Sequence, residues 1–182
     1  MHITGGKLLG RGIFLKRDRV RPIQEKTRLA IFNLLKDIDG KSFLDLFSGT
    51  GIMGIEAYSR GAHPVFFVDI DVSNIIANIE QLSLSTASGL IVKKKDAMRF
   101  VVSSNRRFDI IFAGPPFIES FYRMIRENLT EIRKHLTENG IFILQVGKRF
   151  FSRDIFSTPD DERIYGESVF LFYHQAGKKL LM

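Results

Sequence analysis

Short apolar runs alternate with longer amphipathic segments along nearly the whole chain, and no other feature limits the possible folds as strongly. Six apolar runs have the length of strands, at residues 42–47 and 64–70, within residues 89–97, and at residues 108–113, 140–147 and 168–175. Helical spacing of apolar residues marks residues 23–36, a segment that ends at Ser59, one that begins near Asp71, and residues 121–136. This order predicts a doubly wound, mainly parallel α/β sheet with helices on both faces. The last two runs are close enough in sequence to pair antiparallel at one edge.

The length and composition of the chain indicate how many domains it has and in which compartment it folds. A chain of 182 residues has the length of one domain with a hydrophobic core. Residues 1–22 place glycines among apolar and basic residues, which predicts a basic N-terminal hairpin extension to a domain at residues 23–182. The absence of cysteine excludes disulfides and a thiol nucleophile and favours a reducing compartment. No signal-peptide pattern and no apolar run of membrane-spanning length is found, so we expect a cytoplasmic protein.

A glycine-rich turn follows the first apolar run, in the sequence DLFSGTGIMGIEA. Its glycines are spaced as Gly49-x-Gly51-x-x-Gly54, and Asp69 ends the next predicted strand 20 residues after Gly49. In nucleotide-binding βαβ units, this spacing places the acid where it binds ribose hydroxyls. The turn therefore predicts a cofactor that contains adenosine.

The choice of cofactor depends on Asp45, which lies four residues before Gly49. A carboxylate at this position would repel the pyrophosphate of a dinucleotide, whereas it would attract the sulfonium and ammonium groups of S-adenosylmethionine (AdoMet). We therefore expect AdoMet rather than NAD. If Asp45 is only a cap or turn residue, an NAD-dependent oxidoreductase stays open as an alternative. Asp96, after the third apolar run, is expected to contact the adenine amino group, unless it is only a turn aspartate.

The fourth apolar run ends in the turn Gly114-Pro115-Pro116-Phe117. Neither proline has an N–H, so a sheet ladder cannot continue and backbone carbonyls stay free to accept hydrogen bonds. Phe117 supplies an aromatic ring on which a base can stack. These features predict a site that orients an exocyclic amine of a nucleobase for methyl transfer. The structural alternative is a turn that only ends a strand and places Phe117 in the core.

The charge of the chain is unevenly distributed. The formal net charge is +7, and eight of the 27 Lys and Arg residues lie among the first thirty residues. Such a cluster is typical of a polyanionic partner such as nucleic acid, and a merely solvated basic face stays open as the alternative. A pure RNA-binding module would leave the glycine-rich turn unexplained. The four histidines are scattered, so no metal site is expected. The expected RNA contacts are Lys7, Arg11, Arg21 and Arg28, because cationic side chains pair with phosphate and guanidinium groups also stack on bases.

Together, the segments GGKLLGRGIFL, RPIQEKTRLAIFNLL, FLDLFSGTGIMGIEAYSRGA, FVDID, DAMRF and FDIIFAGPPF resemble the bacterial RsmD-type family. Its members are class I AdoMet-dependent methyltransferases that modify a guanine N2 amine in small-subunit (16S) ribosomal RNA. The resemblance covers nearly the whole chain and implies a seven-stranded Rossmann-like sheet, with 16S rRNA or a small-subunit assembly intermediate as partner. It implies cofactor contacts at Asp45, Phe47, Gly49, Thr50, Gly51, Asp69, Ile70, Asp96 and Ala97, and a catalytic turn formed by Gly114, Pro115, Pro116 and Phe117.

One position departs from the pattern of that family. Its turn reads Asp/Asn-Pro-Pro-Tyr/Phe, and here Gly114 stands where the acid or amide belongs. Loss of a charged acceptor for the target amine costs about 1.5–3 kcal/mol, or about a ten- to hundredfold loss of rate. Three interpretations stay open: the carbonyls of Gly114 and Pro115 suffice, Glu119 substitutes, or the chain binds AdoMet and RNA with little or no catalysis. We expect a working enzyme, because the turn and the cofactor loop are both retained.

Overall fold

The computed structural model of the protein describes residues 1–14, 23–85, 89–152, 156 and 158–175, and its centre is one twisted sheet. The helices of this part are α1 (Glu25–Leu35), α2 (Ile52–Ser59), α3 (Ser73–Gln81), α4 (Ala97–Ser103), α5 (Glu119–Glu127) and α6 (Leu129–Lys134). The strands are β1 (Phe43–Leu46), β2 (Val65–Asp69), β3 (Leu90–Lys94), β4 (Phe108–Ala113), β5 (Leu136–Gly147), β6 (Asp161–Tyr165) and β7 (Ser168–His174).

The strands pair in the order β3-β2-β1-β4-β5-β7-β6. The five strands from β3 to β5 are parallel, whereas β7 is antiparallel to both β5 and β6. This confirms the predicted doubly wound, seven-stranded α/β sheet. Because the strand order reverses between β1 and β4, the loops after these two strands border a crevice at their carboxyl ends, where ligands of such sheets bind.

Two hydrophobic clusters cover the two faces of the sheet. Strand β1 contributes Phe43 to the cluster that contains the buried residues of α1, α2 and α3. It contributes Leu44 and Leu46 to the opposite cluster, which contains those of α4, α5 and α6. Every residue of β1 is buried because both faces of a parallel sheet are covered by helices. Burial on both faces explains why the parallel strands appear in the sequence as continuous apolar runs.

The structure differs from the sequence predictions at three elements. The predicted helix at 121–136 is two helices that meet at Asn128, whose side-chain amide donates 2.8 Å to the Met124 carbonyl. Helix α4 was not predicted as a separate element. Strand β6 is the edge strand beyond β7, and its mixed polar sequence DERIY lacks the apolar run that marks the other strands, because none of its side chains is buried.

The described part of the N-terminal extension forms a turn that packs on α1 and α2. An antiparallel bridge joins His2 to Gly12, and Ile13 N–H donates 2.7 Å to the Met1 carbonyl. Its buried apolar side chains Ile3, Leu8 and Ile13 belong to the same cluster as α1 and α2. Gly6 has a positive φ of 76°, and a Cβ there would lie 1.9 Å from the Ser59 carbonyl oxygen. Only glycine allows the segment to approach α2 this closely. Within the described residues, no helix is long and apolar enough to cross a lipid bilayer.

Candidate active site

A cavity of about 800 Å³ opens at the carboxyl ends of the parallel strands, within the size range of cofactor sites. It contains all four residues of the predicted catalytic turn and six of the nine predicted cofactor residues. The predicted residues that line it are Phe47, Gly49, Asp69, Ile70, Asp96, Ala97, Gly114, Pro115, Pro116 and Phe117.

The glycine-rich turn adopts a conformation that its sequence requires. Gly49 and Gly51 have φ angles of 54° and 77°, in the left-handed region that favours glycine. A Cβ on Gly54 would lie 2.3 Å from a ring carbon of Phe67, so the third glycine allows α2 to pack closely on β2. These are the separate roles that the glycines of a nucleotide-binding turn have.

Asp69 connects the ends of the first two strands beside the cavity. Its Oδ2 accepts a hydrogen bond from Gly49 N–H at 2.8 Å, and its Oδ1 accepts one from Asp71 N–H at 3.0 Å. A carboxylate oxygen can accept more than one hydrogen bond, so both oxygens retain capacity for ribose hydroxyls. The position of Asp69 therefore fits its predicted role.

Three backbone donors of the glycine-rich turn are engaged within the protein. Gly49 N–H donates to the carboxylate of Asp69, Gly51 N–H donates 2.7 Å to the Ser48 carbonyl, and Ile52 N–H lies 3.4 Å from a threonine hydroxyl. A pyrophosphate at this place would need such N–H groups to be free. The turn therefore offers a carboxylate rather than a set of donors, which suits a cofactor without phosphate.

Asp45 is not at the surface of the cavity, where a direct contact with the cofactor would require it to be. Its side chain is only 2% exposed and does not line the cavity, and its Oδ2 accepts the Gly54 N–H at 3.0 Å. Burial raises the pKa of Asp45 well above its ordinary value, and the nearby Asp69 carboxylate raises it further, although the Gly54 hydrogen bond opposes the change. The predicted direct contact with the cofactor cation is wrong for this reason. Asp45 instead attaches β1 to α2 beneath the turn.

An Asp45→Asn variant is expected to be more stable than the natural chain, by an amount that increases with pH. A carboxyl group whose pKa is raised on folding contributes stability that is present below its unfolded pKa of about 3.9 and is lost as the pH rises through the folded pKa. The asparagine oxygen still accepts the Gly54 N–H and has no charge. In urea unfolding without cofactor, the stability gained by the variant should therefore increase as the pH rises above the unfolded pKa of about 3.9. A difference that stays constant with pH would contradict the buried carboxyl group.

Thr50 and Gly51 are the other predicted cofactor residues that do not line the cavity. Thr50 is 1% exposed, and its carbonyl accepts the Asn78 side-chain amide at 2.9 Å. The same amide group, fully buried, also exchanges hydrogen bonds with the backbone N–H and carbonyl of Phe14 at 2.7 and 3.0 Å. Asn78, which the sequence reasoning missed, therefore joins the N-terminal segment to the glycine-rich turn.

Three further predicted cofactor positions form walls of the cavity. Phe47 has a φ of 58°, unusual for a non-glycine residue, and its ring meets the Phe121 ring edge-on at 5.7 Å between centroids. Ile70 is 69% exposed and supplies an apolar surface. Asp96 caps α4 by accepting Arg99 N–H at 2.9 Å through Oδ1, so its other oxygen is available for an adenine amino group.

The Pro-Pro turn begins beside the glycine-rich turn, where Gly114 N–H donates 3.3 Å to the Leu46 carbonyl. The Pro116 carbonyl accepts Ile118 N–H at 2.7 Å and is therefore engaged. In the described part of the chain, no donor reaches the carbonyls of Gly114 and Pro115. These two oxygens remain available to a substrate amine, as the sequence predicted.

Phe117 is half-buried and packs against the end of β5. A Cβ on Gly147 would lie 2.9 Å from Cδ2 of the Phe117 ring, so this glycine provides the space for the ring. Gly147 N–H donates 2.9 Å to the Tyr122 hydroxyl, and burial raises the pKa of that hydroxyl to about 12. A neutral tyrosine thus holds the backbone beneath Phe117.

The sequence reasoning missed the contribution of the end of β5 to the cavity. Gln145 and Gly147 end this strand, and the exposed cations Lys148 and Arg149 follow in a short 3-10 helix; all four line the cavity. Their position after a parallel strand was the signal that could have identified them. Glu119, the suggested substitute acceptor, does not line the cavity: its side chain is 75% exposed and lies 3.7 Å from Arg123.

The predicted RNA contacts have different outcomes. Arg28 is wrongly predicted, because its side chain is fully buried: Nε lies 3.0 Å from Glu56 Oε2, and Nη1 donates 3.1 Å to the Ile23 carbonyl. Lys7 is exposed with its Nζ 3.5 Å from the centre of the Tyr58 ring. Arg11 is exposed, and Arg21 lies outside the described residues. Lys7 and Arg11 therefore stay predictions.

Comparison with known proteins identifies the family of this chain. The family model described as Conserved hypothetical protein 95, the RsmD family, matches residues 1–174. A Bacillus subtilis protein named "Putative rRNA methyltransferase YlbH" is 31% identical over 153 residues, which cover 80% of this chain and 82% of the relative. The Escherichia coli K12 protein named "Ribosomal RNA small subunit methyltransferase D" is 28% identical over 134 residues, which cover 70% of this chain and 68% of the relative.

Solved structures agree on the fold. The Escherichia coli protein described as "Putative methyltransferase yhhF" superimposes with a TM-score of 0.81 at 22% identity, covering 98% of this chain and 99% of that one. A hypothetical protein of Thermus thermophilus gives the same TM-score of 0.81 at 24% identity, covering 96% of this chain and 99% of that one. The predicted family and AdoMet cofactor are confirmed, and the NAD-dependent alternative is set aside. The chain belongs to the RsmD family of AdoMet-dependent methyltransferases.

Proposed function

We propose that the protein transfers a methyl group from AdoMet to the exocyclic N2 amine of a guanine in 16S ribosomal RNA. The observation that carries this proposal is that the turn after β1, with Asp69, and the Gly-Pro-Pro-Phe turn after β4 line one cavity. A cofactor held by the first turn and a base held by the second would meet between them. Relatives named as small-subunit rRNA methyltransferases support RNA as the substrate.

The residues of the cavity fit AdoMet in the part that holds the nucleoside. Asp69 would bind the ribose hydroxyls, Asp96 the adenine amino group, and Ile70 one face of the adenine, all of which line the cavity. When bound, AdoMet supplies an electrophilic methyl group on a sulfonium sulfur. The engaged N–H groups of the glycine-rich turn favour this cofactor over a pyrophosphate.

The residues after β4 and β5 would orient the base. The carbonyl of Gly114 or of Pro115 can accept one N–H of an exocyclic amine, and Phe117 can stack on the base. Transfer forms a nitrogen–carbon bond and breaks the carbon–sulfur bond; sulfur keeps the electron pair, and the amine releases one proton to water. Positioning is the main contribution of these groups, because no covalent intermediate with the protein is required.

Exposed cations at the cavity rim and on the N-terminal segment suit an RNA chain. Lys148 and Arg149 lie at its rim, and Lys7 and Arg11 lie on the N-terminal segment that Asn78 attaches to the glycine-rich turn. Phosphate contacts from such residues provide affinity and make it dependent on salt. We propose that these residues hold the RNA while the base enters the cavity, and that the reaction takes place in the cytoplasm, where ribosomal RNA is assembled.

The decisive experiment incubates the purified protein with labelled AdoMet and unmodified 16S rRNA, as naked RNA and as small-subunit particles. We expect N2-methylguanosine in nuclease digests analysed by mass spectrometry, in at least one of the two substrates. An Asp69→Ala variant serves as the matched control and should lose label through weaker cofactor binding. Label on another nucleobase atom would contradict the N2 assignment, and AdoMet binding without transfer to either substrate would indicate an inactive relative.

A further inference from the structure

The glycine at position 114 has an unexpected neighbour on the adjacent strand. A Cβ built on Gly114 would lie 3.3 Å from the side-chain oxygen Oε1 of Gln145. An aspartate at this position would extend its carboxylate oxygens about 2.4 Å beyond its Cβ, since one carbon–carbon and one carbon–oxygen bond intervene. The amide oxygen of Gln145 therefore lies close to the space that the acidic or amide side chain of the family turn would fill.

We propose that Gln145 supplies, across the strands, the acceptor that position 114 lacks. This inference rests on the proposed transfer to an exocyclic amine. The amine donates one hydrogen to Oε1 of Gln145, which turns the nitrogen lone pair toward the methyl group. The nitrogen–carbon bond forms as the carbon–sulfur bond breaks with its electron pair retained by sulfur. The proton leaves to water, because an amide oxygen accepts a hydrogen bond but is not a base.

The backbone at Gly114 does not itself require a glycine. Its φ is outside the positive range that the chain uses at its other glycine turns. The restriction is spatial: the same built Cβ would lie 3.1 Å from a ring carbon of Phe112, as well as 3.3 Å from Gln145. The space that a side chain would need is therefore partly occupied by the proposed acceptor. The absence of a side chain at Gly114 thus leaves room for the side chain of Gln145.

The side chain of Gln145 is held in one orientation. Gln145 lies on β5, which pairs with β4 on one side and with β7 on the other, where it faces Phe170. Its Nε2 donates 2.9 Å to the Ser168 hydroxyl, which leaves Oε1 on the side of Gly114. The residue is 8% exposed and lines the cavity, and none of the described donors occupies Oε1. An immobilised, unoccupied acceptor is what an amine substrate requires.

The test compares Gln145→Ala with Gln145→Glu in the methylation assay on 16S rRNA. We expect Gln145→Ala to lower kcat about tenfold, the effect of one lost neutral hydrogen bond in the transition state. Gln145→Glu should retain activity, because it keeps an acceptor at the same distance from the backbone. AdoMet affinity and melting temperature should change little in both variants, which separates loss of the acceptor from damage to the fold.

The strongest readout is the coupling between Gln145 and Gly114. Gly114→Asp should raise the kcat of the Gln145→Ala variant by about tenfold, since the new carboxylate replaces the missing acceptor. The same substitution in the natural chain should give no gain, because the carboxylate would crowd Oε1 of Gln145. Independent effects of the two substitutions would overturn the inference.

The outcomes separate this inference from the proposed function. Full activity of Gln145→Ala alongside an active natural chain overturns the role of Gln145 and leaves the proposed function intact. Activity that arises only after Gly114→Asp overturns it as well, because Gln145 would then fail to replace the acid. If the natural chain and every variant bind AdoMet but methylate no guanine amine, the proposed function fails and the inference fails with it.

Discussion

An Arg28→Met variant is expected to lose about 3–5 kcal/mol of its free energy of unfolding, the usual effect of removing one partner of a buried ion pair. Arg28 and Glu56 are both 0% exposed, and their charged groups lie 3.0 Å apart. The Arg28 guanidinium also donates to the carbonyls of His2 and Ile23, which ties the N-terminal segment to α1 and α2. Methionine fills the space of the stem but leaves these acceptors without their donor. Urea unfolding would measure the loss.

Arg60→Met provides the matched control for this prediction. Arg60 binds the other oxygen of Glu56 at 2.8 Å, yet its side chain is 18% exposed, so water can replace part of the lost interaction. We expect it to cost about 1 kcal/mol, near the value for exposed ion pairs. Equal and small losses for the two variants would contradict the buried network.

The Arg28→Met variant also tests whether Arg28 contacts RNA. Under conditions where Arg28→Met is folded, its RNA affinity should depend on salt as that of the natural chain does, because no phosphate contact has been removed. A variant of Arg11, which is exposed, should instead show a shallower dependence on salt. A shallower dependence for Arg28→Met would restore it as an RNA contact.

The parts of the fold that the sequence predicted well are those whose signal lies within one short segment. The predicted strand 108–113 matches β4 (Phe108–Ala113) because an apolar run is ended there by two prolines. The glycine-rich turn and Asp69 were identified because their spacing follows from the geometry of one βαβ unit. Strand β6 was missed because it is an edge strand with a polar sequence, whose pairing is decided by β7.

The wrong site predictions concern charged residues whose surroundings come from distant segments. Asp45 was treated as an exposed carboxylate, but helix α2 covers it and Gly54, nine residues away, supplies its donor. Arg28 did have a local signal: it precedes the buried Ile31 and Phe32 by three and four residues, so it shares their helix face. Its partner Glu56 is 28 residues away, and sequence pattern alone could not identify that pair.

The acceptor proposed for the target amine could not be predicted either, because it depends on the alignment of two strands. Gly114 follows β4 and Gln145 is near the end of β5, 31 positions later in the chain. Position 114 lacks the acid or amide of the family pattern. The pairing of β4 with β5 brings Gln145, the proposed replacement, next to it. A missing side chain in a parallel sheet can thus be compensated from the neighbouring strand, since both end at the same edge.

Truncating Phe117 to alanine is expected to lower kcat/KM for RNA about ten- to hundredfold, since base–aromatic stacking is worth about 1–3 kcal/mol per base. The half-buried ring lines the cavity and packs against the core and beside Gly147, so its exposed part is what a base can contact. AdoMet affinity in the absence of RNA should stay nearly unchanged, because the substitution leaves Asp69 and Asp96, the residues proposed to bind the nucleoside, in place. Steady-state methylation kinetics, with calorimetry for AdoMet, would measure both quantities.

Two further variants test whether the aromatic face of Phe117, rather than only the volume of its side chain, is required. Phe117→Tyr keeps an aromatic face and should retain most of the activity. Gly147→Ala removes no atom from the ring, but its new methyl group would lie 2.9 Å from Cδ2 of Phe117 and must displace the ring. It should therefore lower kcat/KM in the same direction as the truncation. If Phe117→Ala methylates RNA at the natural rate, the base is held elsewhere, and the turn after β4 then acts through its carbonyls alone.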